Sequence, residues 1–345
     1  MSYTMPVEFE TLLRSAQERG ASDLHLLAGE PPTTRVDGVL ERTDAAPLTA
    51  VRILEIASAV FPRGELDRIG RELGELHRSI TIGEIALRFC VARVSGEITI
   101  SARMIPIGVP GVDFLGTPNG LIGAAGMANG LIVISGRTGS GKSTTAYSLL
   151  DHINATRNVN IHTIEDPVMY RLTPKRSLVQ QREVGVDTPD TVSGLKQSML
   201  MDPDVIFVGE IRTLDELQAC ITVAETGHLV ITVMHAESPE GAIQRIGDVF
   251  PEHTRAFYRR ALAGVLRCVT CQRLIPKASG QGRVAAYGVL VPDDEMRAAI
   301  AEYGDVLSRR QPLPKNCLSM QAEIERMANE GIISQEKAQA YLADI

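Results

Sequence analysis

Residues 131–145 of the chain, LIVISGRTGSGKSTT, constrain its fold more than any other stretch. Five apolar or small strand-forming residues lead into Gly136, Gly139, Gly141, Lys142 and Ser143, at the spacing of a phosphate-binding loop. Glycines let a backbone turn its N–H groups inward around phosphate oxygens without Cβ clashes. Lys142 would then reach the β- and γ-phosphates and Ser143 would ligate Mg2+. The following helix would aim its N-terminus at the anion. The flanks meet this requirement, since 131–135 reads as a buried strand and 144–152 as a helix. A nucleoside triphosphate is the expected ligand.

At 345 residues the chain is too long for one ordinary domain, and two are expected. Its hydrophobic fraction of 44% supports real cores. A net charge of −7 leaves no dense basic stripe for neutralising phosphodiesters, so nucleic acid is not expected as the main partner. No apolar run approaches the roughly 18–20 residues of a membrane span, and MSYTMPVEFE lacks a signal pattern; a cytoplasmic location is expected. The five cysteines are odd in number and scattered, which predicts free thiols. Cys268 and Cys271 form a lone CxxC within ALAGVLRCVTCQRLI, read as an apolar helix. With no second ligand pair nearby, core packing is expected there rather than zinc.

Residues 1–105 read as a small α/β unit. Phe9, Leu12, Leu13 and Ala16 make one helical face, a second helix covers about 51–60, and strands follow at about 80–94 and 97–104. Residues 106–129, rich in Gly and Pro, read as an interdomain linker. From 130 to 345 strands and helices alternate: strand 131–135, helix 142–152, strand 160–164, helix 190–200, strand 205–209, helix 213–224, strand 228–234. That order predicts a doubly wound α/β domain with a mostly parallel sheet and its ligand at the carboxyl strand ends. Beyond about 239 the chain reads as mostly helical.

Three constellations fall at the predicted carboxyl ends of strands. Glu165 in TIEDP is a carboxylate able to face a γ-phosphate and orient a water. Glu210 ends the apolar strand VIFVGE and would bind Mg2+ directly or through water. His228 and His235 bracket the next strand and can sense the γ-phosphate or link it to a neighbouring subunit.

GRTGSGKSTT, TIEDP, VGEIR and AETGHLVITVMH closely resemble the phosphate loop, Asp box, Walker B segment and His box of the type II/IV secretion ATPase superfamily. Within it the PilT-type pilus retraction ATPases are the nearest likeness. GASDLHLLAGEPPTTRVDGVL, QREVGVDT, GDVFP and GRVAA extend the match over nearly the whole chain. The resemblance implies a PAS-like N-terminal domain, a RecA-like ATPase domain and a homohexameric ring using ATP and Mg2+. It implies that Gly136, Thr138, Gly139, Ser140, Gly141, Lys142, Ser143, Thr144 and His235 contact the nucleotide, and that Ser143 and Glu210 serve the metal. It makes Glu165 the general base, Glu210 the Walker B acid, His228 a His-box residue and Arg103 a mobile cation on the N-terminal domain.

Four departures from the family pattern stand out. Cys90 replaces a second arginine, leaving Arg88 or Arg93 to substitute, and Arg137 replaces a common Pro in the phosphate loop. Thr213 replaces an Asp. The C-terminal retraction signature survives only as EMRAAIAE at 295–302, keeping Arg297 and Glu302. The leading expectation is therefore a retraction motor docking on an inner-membrane pilus platform protein. The alternatives are a motor for another secretion or conjugation system and a P-loop small-molecule kinase. The kinase fares poorly, because no lid-like arginine cluster is apparent.

Overall fold

A computed structural model of the chain describes residues 5–36, 39–69, 71–72, 74–105, 108–303 and 317–344. The chain divides into two compact units, residues 1–108 with 169–171, and residues 109–168 with 172–345.

The first unit runs α1 (Val7–Glu18), β1 (Asp23–Leu26), β2 (Thr33–Val36), β3 (Val39–Arg42), α2 (Ala50–Ser58), α3 (Arg63–Leu66), β4 (Glu75–Ile82), β5 (Ile85–Val94) and β6 (Glu97–Met104). Its six strands form one antiparallel sheet in the order β3-β2-β1-β6-β5-β4. Along β5, Ile85, Leu87, Phe89 and Val91 are buried and alternate with half-buried residues, as a sheet with one covered face requires. Phe9 of α1 meets Phe89 edge to face at 5.7 Å. The same alternation separates the two arginines flanking Cys90. Arg88, two residues away, shares its face and lies opposite Arg103, whereas Arg93 is three away and donates to the Ile69 and Gly96 carbonyls. Burial and the nearby Glu75 push the Cys90 thiol up to about 11, so it stays protonated.

The second unit runs α4 (Asn119–Ala125), β7 (Gly130–Gly136), α5 (Lys142–Thr156), β8 (Asn160–Glu165), β9 (Leu178–Glu183), α6 (Thr191–Ser198), β10 (Val205–Val208), α7 (Leu214–Glu225), β11 (Leu229–Met234), α8 (Pro239–Asp248), α9 (Glu252–Val265), β12 (Leu266–Pro276), β13 (Arg283–Leu290), α10 (Asp294–Tyr303), α11 (Met320–Asn329) and α12 (Gln335–Leu342). The seven strands lie in the order β13-β12-β7-β11-β10-β8-β9, parallel except for β13 at one edge. β7, β10 and β11 are buried at every residue, because helices cover both faces of a parallel sheet. Thr213 caps α7 through a capping box with Glu216, which gives that departure a local reason.

Two readings of the sequence are corrected. The CxxC segment is strand β12, not helix, and the region after 239 adds two strands, β12 and β13. Helix α9 passes into β12 at Leu266 with no Gly or Pro between them, and a strand covered on both faces shows no alternation to betray it. Cys268 and Cys271 are buried there as free thiols. Within the stretch read as a linker, α4 buries Leu121 and Ala124, while residues 106 and 107 lie outside the described residues.

His162 on β8 is wholly buried, with Nε2 facing Gln180 at 2.9 Å and Nδ1 lacking a partner. Burial, helped by the Arg182 charge, holds the ring below its ordinary value of 6.5. The folded chain therefore keeps a neutral ring, and unfolding takes up a proton in mild acid. This contribution to stability is complete above 6.5 and is lost as the pH falls below it. Urea-unfolding free energy is expected to decline between about pH 7 and 5.5, with a shallower slope in His162→Gln. An unchanged slope in the variant would exclude His162 as the source.

Candidate functional site

The phosphate loop joins β7, a central strand, to α5. Gly136 has φ of +148°, and a Cβ there would stand 2.5 Å from the Gln272 carbonyl oxygen. Gly141, at +88°, is the N-cap of α5, and its Cβ would lie 2.8 Å from Gln272 Nε2. Only glycine fits either position. No side chain caps α5, whereas Thr49, Asp190, Thr213 and Ser238 cap α2, α6, α7 and α8. An uncapped helix start behind a glycine loop is an anion cradle. Lys142 is buried and folds back on the loop, its Nζ donating to the Arg137 carbonyl at 2.9 Å. Burial pulls its pKa below the ordinary lysine value, against the opposing pull of the Glu210 carboxylate. Thr138 and Gly139 are exposed, Ser143 and Thr144 half-buried, and Ser140 Oγ is buried with no hydrogen-bond partner.

A chain of polar contacts crosses the carboxyl ends of neighbouring strands. His235, just after β11, meets Glu210 at 2.8 Å, and Glu210, just after β10, meets Arg212 at 3.2 Å. Arg212 reaches Asp166, just after β8, at 3.2 Å. From the β7 end, Arg137 reaches Glu237, also after β11, at 3.1 Å. Glu210 thus stands within electrostatic reach of Lys142. Glu165, the last residue of β8, is buried instead. Its carboxylate accepts from Thr163 Oγ1 at 2.6 Å, from Gln181 Nε2 at 3.3 Å and from the Tyr147 hydroxyl. Tyr147 in turn packs edge to face on Phe207 of β10, which fixes the ring that holds the acid.

The structure does not bring His228 to this group. It precedes β11, and its carbonyl accepts from Gly130, the first residue of β7. In a parallel sheet that is the amino end, a strand of six residues, or roughly 20 Å, from the loop. Its ring bonds locally to Thr226 and Val223. The sequence reading followed the motif's order and not the strand's direction. Arg103 belongs to the first unit, on β6, where its guanidinium donates to the buried Asp23 at 2.8 Å. Burial raises the Asp23 carboxyl, but the bonds from Arg103 and Ser22 outweigh it and hold the group below its ordinary value.

Sequence reasoning missed the β12 side of the site. Gln272 touches the glycines and accepts from Thr145 Oγ1 at 2.7 Å. Beside Gly141 and Thr144 lies a pocket of about 140 Å³ whose walls include Phe114, Leu274, Lys277 and Arg283. Spacing along the chain does not announce the pocket, because it is assembled from separate segments around 114, 141–145 and 272–285. A larger groove of about 590 Å³ runs between α6 and α7 and includes none of the strand-end residues.

A phosphate loop between a central parallel strand and an uncapped helix, with acids at the adjoining strand ends, defines an α/β P-loop domain of the RecA-like class. Residues 119–340 match the family described as type II/IV secretion system protein. The type IV pilus retraction ATPase PilT of Pseudomonas aeruginosa is 36% identical over 86% of this chain and 86% of its own. The type IV pilus ATPase PilU of the same organism is 30% identical over 97% of this chain and 88% of its own. A crystal structure of the pilus retraction motor PilT with bound ADP superposes with a TM-score of 0.87 at 36% identity, covering 95% of each chain. The chain belongs to the type II/IV secretion system protein family, on its PilT-like branch.

Proposed function

We propose that the chain is a hexameric motor ATPase coupling Mg-ATP hydrolysis to retraction of a type IV pilus, acting at the cytoplasmic face of the inner membrane on a pilus platform protein. The observation that carries this reading is the meeting of Lys142, the uncapped start of α5 and Glu210 at one set of strand ends, in a chain related to a named retraction ATPase. Among the described residues no helix is long and apolar enough to cross a membrane.

The residues present suit the ligand. Ser143 and Glu210 offer hard oxygens, and among the described residues no three His, Cys, Asp or Glu gather to hold a metal alone. Mg2+ therefore fits as an ion carried in with the phosphates. Once bound, it neutralises charge on the phosphate oxygens. Lys142 keeps one N–H on the Arg137 carbonyl and turns its other two to the phosphates, and the loop and the first turn of α5 supply N–H donors. The pocket between Phe114 and Leu274 takes the base. Glu165, which accepts from Thr163, Gln181 and Tyr147, takes the proton of the attacking water. Glu210 and His235 report the γ-phosphate to the strand ends. Arg103 serves as the mobile cation of the first unit, a role that requires its pair with Asp23 to open.

Deleting the gene from its host is expected to leave excess surface pili that cannot retract, and a Lys142→Ala copy should fail to restore retraction. Loss of pilus assembly would instead support an extension or secretion motor. The eroded signature on α10 favours that second reading: Met296 and Ile300 sit in the core, and Arg297 is committed to the Ala263 carbonyl at 2.7 Å. Light scattering that finds only monomers, with and without nucleotide, would sink the ring.

A further inference from the structure

We propose that Asp344 is a positioning residue for the phosphate loop, acting through Arg137; the inference rests on the nucleotide reading above. Arg137 stands where the family commonly has Pro. A proline stiffens a loop through its own ring, while an arginine leaves the backbone free unless its side chain is held. Here it is held on two sides. Its guanidinium reaches Glu237 at 3.1 Å and Asp344 at 2.9 Å.

Asp344 has a firm seat of its own. Buried Arg273 of β12 donates to its carboxylate at 3.0 Å and to its main-chain oxygen at 2.9 Å. One turn earlier, the Tyr341 hydroxyl donates to the Leu274 carbonyl at 3.2 Å, fastening α12 to the same strand. The neighbouring Gln272 packs against Gly136 and Gly141. One stretch of β12 therefore supports the loop directly through Gln272 and indirectly through Arg273, Asp344 and Arg137.

The clamp acts on the nucleotide because of what the Arg137 backbone does. Its carbonyl accepts both Lys142 Nζ, at 2.9 Å, and the Ser140 N–H, at 3.2 Å. Fixing the side chain outside the loop fixes the carbonyl that aims the lysine inside it. The outer pairs are half exposed, so the effect is modest and concerns geometry more than stability.

The test is a double-mutant cycle on the full chain, reading ADP affinity by calorimetry and steady-state ATP hydrolysis. Asp344→Ala and Arg137→Ala should each weaken ADP binding by about three- to fivefold, and Asp344→Ala should keep kcat at saturating ATP within about twofold of the parent. The double variant should be no weaker than the weaker single, and Asp344→Glu should keep most of the affinity that Asp344→Ala loses. Losses that simply add would overturn the coupling. Tighter ADP binding in Asp344→Ala would also overturn it, since the carboxylate would then act only by repelling phosphate. A role confined to docking α12 would lower the melting temperature of Asp344→Ala alone and leave both affinities unchanged, again against the proposal. If the parent binds no ADP, the nucleotide reading falls as well; if it binds and the variants match it, only this inference falls.

Discussion

Lys142→Ala is expected to weaken ADP binding by about ten- to a hundredfold and to reduce ATP hydrolysis to background, while leaving the nucleotide-free chain as stable as the parent. The two effects separate because the lysine does different things in the two states. Without ligand it is a buried cation on one main-chain carbonyl, and burial already depresses its pKa. Removing it loses a hydrogen bond and also relieves a desolvated charge, so the net change in stability is within about 1 kcal/mol. With nucleotide, the same cation faces anionic oxygens in a cradle of N–H groups, where a charge-assisted bond is at its strongest. Calorimetric ADP titration beside a thermal melt tests both halves. A variant that binds as the parent does would remove the loop from the site. One that melts far lower would mean that Lys142 is structural.

The contrast between this loop and its surroundings explains what could be read from sequence. The cradle is contiguous: Gly136 to Ser143 meet one another through the turn they form, so their spacing alone announces the chemistry. The acids Glu165 and Glu210 were equally legible, because each follows an apolar strand and parallel strands end on one side. The doubly wound α/β class follows from the same alternation of strands and helices, and its RecA-like character from the family resemblance. What was hidden depends on partners far along the chain. Gln272 supports the glycines from β12, a strand whose two covered faces erase the period-two signal. The partners of Arg137 also lie far along the chain, Glu237 100 and Asp344 207 residues later. His228 failed for another reason. Motif order suggests a place near His235, but the strand between them carries the two to opposite ends of β11.

Glu165→Gln is expected to lower kcat by about a hundredfold to ten-thousandfold while ADP binding stays within a few-fold of the parent. The prediction follows from the environment of the acid. Thr163, Gln181 and Tyr147 all donate to the buried carboxylate, which fixes both of its oxygens in place. Glutamine keeps the shape but exchanges one acceptor oxygen for an NH2 group. With the glutamine oxygen kept toward Thr163 and Gln181, the Tyr147 hydroxyl rotates to accept from that group. Stability should therefore fall by only about 1–3 kcal/mol. The chemical step has no such escape, because an amide is not basic near neutral pH. Lys142, Ser143 and Glu210 are untouched, and the nucleotide should still bind. Single-turnover hydrolysis together with ADP calorimetry separates the outcomes. Slow turnover with tight binding marks a base, and loss of both marks a collapsed core around Tyr147 and Phe207. Parental turnover would leave Glu165 as a structural acid and shift the search for the base to Glu210.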